Sequence, residues 1–282
     1  MEQFQLKPGS SLGIIAGGGQ LPLLIAEAAG KLGYRVVAVA HKGETDRQID
    51  KCCSEVKWLR LGQLNKLINF FKKRDVESVV FAGTITKTRI FFDIRPDFRA
   101  LALWNQLEGH LDDRILRAVA GELEKEGLKV LPYTWLLSDL LFPRGILTRR
   151  APSGQEERDI RFGLGLARQI GKLDIGQCLV VKDGTVLAVE AIEGTDETIR
   201  RGGRLGGEGS VVVKVYKPGQ DIRFDLPATG VKTIETMIES GAKVLAAEAG
   251  RSLFFDRDQA VSLADRHGIA IVGVDPADTV QS

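Results

Sequence analysis

Two rhythms of apolar and polar positions run through the first half of the chain. The short runs "SLGIIAG", "YRVVAVA", the weaker "VKWLRL" and "VESVVFAG" are apolar and rich in β-branched residues, which predicts strands. The stretches "QLPLLIAEAAGKLGY", "GQLNKLINFFKKRDV" and "DDRILRAVAGELEKEG" instead place apolar residues at helical spacing. In the second of these, Leu64, Leu67, Ile68 and Phe71 fall on one stripe. "LKVLPYTWLL" adds one more strand and a turn. Strands alternating with helices predict a parallel, doubly wound α/β sheet over roughly residues 1–140.

The second half has a different pattern. "IRFGLGLARQIGKLD" predicts a helix, and "QCLVVKDGTVLAVEAIEG" two strands joined at Asp183-Gly184, a strong hairpin signal. "SVVVKVYKPGQDIRFDL" reads as a strand with an irregular continuation. On a strand, positions 221, 223 and 225 would share one face. The helix "GVKTIETMIESG" and the segments "AKVLAAEAG", "RSLFFDRDQAVSLADRHG" and "IAIVGVD" complete an α+β unit. Between the halves lies "LFPRGILTRRAPSGQEERD", with Pro, Gly and the arginines Arg144, Arg149, Arg150 and Arg158. Such a composition suits a linker, and a solvated stretch is the simplest reading of its arginines. The expected division is a Rossmann-like nucleotide- or phosphate-binding domain over 1–142, a linker over 143–159 and an α+β catalytic domain over 160–282.

Composition narrows the function classes. A chain of 282 residues suits two domains. Net charge is only +2, which argues against nucleic acid as a partner. Three cysteines, two of them adjacent, fit neither a disulfide framework nor a zinc site, so a reducing cytoplasm is expected. No apolar run reaches the length of a membrane span, and "MEQFQLKPGSS" lacks the features of a secretory signal.

Candidate chemistry gathers at two places. Gly17, Gly18 and Gly19 with Gln20 lie between the first strand and its helix, where a glycine loop lets a backbone approach a phosphate. The G-x-G-x-x-G spacing is absent, its last position being Pro22, and no acid ends the second strand, which argues against NAD. The second place is the acid-rich stretch from Glu193 to Asp225. Glu193, Thr195 and Asp196 follow one strand, Lys214 and Lys217 sit on and after the next, and Gln220, Asp221 and Asp225 come behind them. Oxygen ligands for a hard divalent cation, with lysines for phosphate oxygens, is one chemistry that uses this set. An ion-pair network with helix caps is the alternative.

Three stretches, "LGIIAGGGQLPLLIAEAA", "LDIGQCLVVKDGTVLAVEAIEGTDETIRRGG" and "VVVKVYKPGQDIRFDLPATGVKTIE", resemble the LpxI family from end to end. That resemblance implies a Rossmann-like half and an α+β half, with a lipid-linked nucleotide sugar held between them. It also implies Mg²⁺-dependent hydrolysis of UDP-2,3-diacylglucosamine to UMP and 2,3-diacylglucosamine 1-phosphate in lipid A biosynthesis, with Mn²⁺ as a substitute. Carried over by residue, the family's essential "DLP" aspartate matches Asp225, and its "QD" matches Gln220 and Asp221. The "EGTD" matches Glu193, Gly194, Thr195 and Asp196. Lys87 and Arg89 stand where members carry a basic residue after the fourth strand. Asp225 and Asp221 are then the expected catalytic residues. Asp225, Asp196 and Glu193 are the expected metal ligands. Gly17, Gly18, Gly19, Gln20, Thr195, Lys214, Lys217 and Gln220 are expected to bind substrate. A cytoplasmic protein in weak, reversible contact with the inner membrane follows, and a homodimer is left open. A nucleotide-sugar-binding protein without catalysis is the alternative.

Overall fold

The first strand, Ser11–Ala16 (β1), is buried along nearly its whole length, as a central parallel strand must be when both faces are covered. The computed structural model describes residues 6–7, 9–85, 96–105, 112–224 and 226–277. They divide into two units.

The first unit comprises Met1–Ser138 together with Asp221–Asp225. After β1 come α1 (Leu21–Lys31), β2 (Arg35–His41), the single turn α2 (Ile49–Cys52) and β3 (Glu55–Leu59). Then follow α3 (Leu64–Lys72), β4 (Val76–Ala82), α4 (Phe98–Asn105), α5 (Asp112–Lys125) and β5 (Lys129–Val130). Among the described residues the five strands form one sheet in the order β3-β2-β1-β4-β5, with every pairing parallel. This is the doubly wound arrangement that the alternating pattern predicts, and its strand order reverses between β1 and β4. The stripe expected on α3 is in place, with Leu64, Leu67, Ile68 and Phe71 all buried. They pack with Ile15, Val39, Val79 and Phe81 of the sheet and Leu123 of α5. Phe224 belongs to the same core, far along the chain from the rest of it.

The second unit comprises Asp139–Gln220 and Leu226–Ser282. It contains β6 (Gly145–Ile146), α6 (Gly154–Lys172), β7 (Cys178–Lys182), β8 (Thr185–Val189), α7 (Thr195–Gly206) and β9 (Val211–Lys214). The rest is β10 (Ala228–Thr229), α8 (Val231–Ser240), β11 (Val244–Glu248), β12 (Leu253–Phe254), α9 (Arg257–Arg266) and β13 (Ala270–Val274). A mixed sheet runs β6-β13-β11-β9-β7-β8, and β10 pairs with β12 separately. Strand alternation sends Leu179, Val181 and Val213 toward α6 on one face. Cys178, Val180 and Val212 face α7, α8 and α9 on the other. Gly202 lets α7 approach the sheet, because a Cβ there would lie 2.5 Å from Val180 Cγ1.

The Asp183-Gly184 hairpin forms as expected, with positive φ at both residues. Asp159 of α6 fixes it, accepting the amides of Asp183 at 2.9 Å and Gly184 at 2.7 Å. Two elements differ from the sequence reading. The helix expected from Ile160 begins at Gly154, where Ser153 and Glu156 form a reciprocal capping box. The strand after Ser210 ends at Lys214, and the expected irregular continuation follows, but without the strand face expected for positions 221 and 223. Beyond it the Tyr216 amide donates to the buried Glu248 carboxylate at 2.8 Å, and Arg168 holds that carboxylate from the other side at 2.8 Å. Residues 222–224 form a turn closed by Phe224 N–H to Asp221 O at 3.0 Å. The shared strand face expected for positions 221 and 223 is therefore a turn.

Candidate active site

The carboxyl edge of the first sheet is where a doubly wound fold places its ligand. The glycine loop sits there and is already bonded. Gly17 donates its amide to Ala82 O at 2.7 Å and Gly18 to Thr84 O at 2.7 Å, while Thr84 donates back to Gly18 O at 3.1 Å. A Cβ on Gly17 would come within 2.5 Å of Thr84 O. The first two glycines thus serve a close backbone crossing between the ends of β1 and β4. The amide donors of Gly17 and Gly18 are thus engaged within the fold. The amides of Gly19, Gln20 and Leu21 have no backbone partner among the described residues, and Pro22 removes one donor from the first turn of α1.

The residues predicted in the second unit cluster around the ends of β7, β8 and β9. Lys214 is buried and donates from Nζ to Ala228 O at 2.6 Å. Its register partner is Cys178, whose thiol burial pushes far up, with Glu190 and Asp196 adding to the rise and Lys214 opposing it. Thr195 Oγ1 donates to Glu190 Oε1 at 2.9 Å, and Glu190 Oε2 accepts the Gln177 amide at 3.1 Å. Asp196, in the first turn of α7, pairs with Lys232 at 3.1 Å. Glu193 accepts the Ala191 amide at 3.1 Å and Arg201 at 2.5 Å. Backbone bonding and Arg201 together hold its carboxyl below the usual range. Lys217 donates to Asp174 at 2.6 Å, and the Gln220 carbonyl accepts the Tyr216 hydroxyl. Glu190, Thr195, Asp196 and Lys214 are thus gathered, whereas Glu193 and Lys217 turn to partners of their own.

Asp221 belongs to the first unit and forms an arginine clamp. Arg223 donates to it from Nε at 3.0 Å and from Nη2 at 2.8 Å, and Arg117 lies 3.7 Å away. Arg223 also reaches Glu124 at 2.8 Å. Burial raises the Asp221 pKa, but Arg223 and its amide more than reverse that, and the carboxyl titrates below its ordinary value of 3.8. Asp221 is thus an ion-paired carboxylate held between Arg223 and Arg117. A carboxylate with a depressed folded pKa stabilises the fold above its unfolded pKa, and that contribution disappears as pH falls through the folded value. Asp221→Asn should accordingly be less stable than the parent at pH 7, and the two should converge below pH 3.8. Denaturant midpoints measured across that range check this, and a constant gap would contradict it.

Asp225, Lys87 and Arg89 lie outside the described residues. The immediate neighbours of Asp225, Phe224 and Leu226, are both buried. Among the described residues no three Asp, Glu, His or Cys side chains are placed to hold a metal ion. Of the linker arginines, Arg150 binds Glu156 and the Lys243 carbonyl, Arg144 pairs with Asp275, and Arg158 bonds Gln155. Sequence reasoning missed His41 and Thr45 at the end of β2. The rule that ligands bind past strand ends could have found them, since His41 closes "VVAVAH".

Residues 11–140 match the model of the LpxI N-terminal domain, and residues 143–272 that of the LpxI C-terminal domain. The chain is 35% identical over 280 residues to UDP-2,3-diacylglucosamine pyrophosphatase LpxI of Caulobacter vibrioides, across 95% of this chain and 98% of that protein. Among solved structures, N5-carboxyaminoimidazole synthetase from Staphylococcus aureus is 16% identical, with 71% of this chain and 45% of that one covered and a TM-score of 0.28. An L-amino acid ligase from Bacillus licheniformis is 14% identical, with 67% and 41% covered and a TM-score of 0.29. The chain spans under half of either structure, and likenesses at these scores bear on neither fold nor activity.

Proposed function

Because the chain belongs to the LpxI family, we propose that it hydrolyses the pyrophosphate of UDP-2,3-diacylglucosamine in lipid A biosynthesis. The observation that carries this reading is the match of both halves, in order, to the two LpxI domain models. Water adds to one phosphorus of the diphosphate and the bridging P–O bond breaks. The products are UMP and 2,3-diacylglucosamine 1-phosphate.

Such a reaction needs charge neutralised on both phosphates and a water aligned opposite the leaving oxygen. Mg²⁺, when bound, supplies the first requirement. The residues present suit it in one respect: this ion commonly takes one or two carboxylates plus substrate phosphates and not an all-protein cage. Glu193 pairs with Arg201, Asp196 with Lys232 and Asp221 with Arg223, and the aspartate of the "DLP" run, Asp225, is the carboxylate assigned here to hold the ion or orient the water.

Turnover of UDP-2,3-diacylglucosamine by the purified protein tests the reading, and binding without turnover would instead support a carrier of the nucleotide sugar. Excess chelator should abolish activity, and Mg²⁺ or Mn²⁺ should restore it. Full activity in chelator would remove the metal from the mechanism.

No helix among the described residues is long and apolar enough to cross a membrane. The acyl chains of the substrate keep it in a bilayer, so the protein should meet that surface reversibly, at the cytoplasmic face of the inner membrane. Arg149, 92% exposed and only 3.7 Å from Asp265, is the linker cation best placed for an anionic headgroup, an interaction worth about 1 kcal/mol near the surface. Flotation with anionic liposomes should show binding that weakens as salt rises. No flotation at low salt would overturn this.

A further inference from the structure

His41 ends β2, beside β1 at the carboxyl edge of the first sheet. Its Nδ1 lies 2.9 Å from Ala16 O, and because a carbonyl only accepts, Nδ1 carries the proton. Thr45 donates from Oγ1 to the same carbonyl at 2.7 Å and accepts the His41 amide at 2.9 Å. These bonds fix the ring. Burial pulls the imidazole pKa down, against opposing effects of the Ala16 carbonyl and Glu44, so the ring is neutral near pH 7. Nε2 is then an acceptor. It has no hydrogen-bond partner among the described residues, and it is not one of the fully enclosed polar atoms that lack one. The residue as a whole keeps 8% of its surface exposed.

The rest of that edge carries both engaged and open backbone donors, with one carboxylate beside them. The amides of Gly17 and Gly18 are engaged, and the Glu44 carboxylate stands 3.6 Å from where a Cβ on Gly18 would lie. Near His41 the edge thus suits a ligand group with an O–H or N–H donor, while the amides of Gly19, Gln20 and Leu21 at the start of α1 suit an anion. In doubly wound nucleotide-binding folds, an acceptor near the end of the second strand takes a ribose hydroxyl. That acceptor is usually a carboxylate, and here the strand closes with His41.

We propose that His41 binds the nucleoside of the UDP-sugar, its Nε2 accepting a hydrogen bond from a ribose hydroxyl. This deepens the proposed function and rests on that reading for the identity of the nucleotide. The bond helps hold the nucleotide and takes no part in breaking the diphosphate.

The test uses the full-length protein with UMP, 2′-deoxy-UMP and 3′-deoxy-UMP as calorimetric probes. Wild type should bind one deoxy analogue about tenfold more weakly than UMP, as loss of one hydrogen bond predicts. His41→Asn keeps a donor for Ala16 O and removes the Nε2 acceptor. It should bind UMP about tenfold more weakly and lose the discrimination, while His41→Gln should recover part of both. Unchanged UMP affinity in His41→Asn, or the same discrimination, overturns the proposal. If His41→Asn does not fold, ¹⁵N spectra of the wild-type histidines decide: an Nε2 resonance unmoved by saturating UMP overturns it. Wild-type turnover, measured separately, distinguishes the two readings. Turnover without ribose discrimination sinks only the His41 contact, and discrimination without turnover sinks only the hydrolysis.

Discussion

Asp225→Ala should lower kcat by at least about 10³-fold, the scale of losing a positioned carboxylate that acts on water or a metal. Glu193, Asp196 and Asp221 cannot substitute without breaking their own bonds to Arg201, Lys232 and Arg223. Asp225→Asn should fail nearly as badly, since it keeps the shape and removes the charge. Substrate affinity should fall far less, because the bulk of a lipid-linked nucleotide lies away from the reacting phosphorus. Steady-state kinetics, with circular dichroism to verify folding, would check this. Turnover near that of wild type in either variant would take Asp225 out of the mechanism.

Phe224→Ala should produce the largest loss of stability. The ring is 4% exposed, meets Phe81 edge-to-face at 5.2 Å, and belongs to the core of the first unit. Truncating a buried Phe to Ala costs about 3–5 kcal/mol. It should also loosen the turn that precedes Asp225, so activity should drop at temperatures where the protein is still folded. Phe224→Leu, which keeps most of the volume, should recover much of both. Melting curves and turnover of the two variants give the answer. A melting temperature unchanged in Phe224→Ala would show that the ring is not a core residue.

The doubly wound half was readable because its signal is local. Runs such as "YRVVAVA" and the stripe on α3 depend only on nearest-neighbour periodicity, which survives without knowledge of the fold. The Asp183-Gly184 hairpin was readable for the same reason, although the part played by Asp159 beneath it was not. The irregular continuation after Lys214 was legible, but the shared face of positions 221 and 223 was not, because the hydrogen bonds there come from distant residues. Glu248 takes the Tyr216 amide, and Glu124 on α5 takes Arg223, pairings that strand alternation cannot anticipate. Likewise, three consecutive glycines signal close approach without saying what approaches. In Gly17 and Gly18 it is the end of β4. Acids in sequence order looked like a ligand set, whereas the fold gives Asp196, Glu193 and Asp221 separate cations.

Phe224 also bears on the order in which the chain is made. The ribosome delivers Ser138, the end of the first unit's main segment, long before Phe224. At synthesis rates of about 5–20 residues per second the interval is on the order of ten seconds. During it Phe81 is without the ring that meets it edge-to-face in the finished protein. A chain ending in that interval should melt at a lower temperature than the complete one, since it lacks a ring that is 4% exposed in the core of the first unit. Residues 221–224 are thus the part of the first unit that the ribosome supplies last.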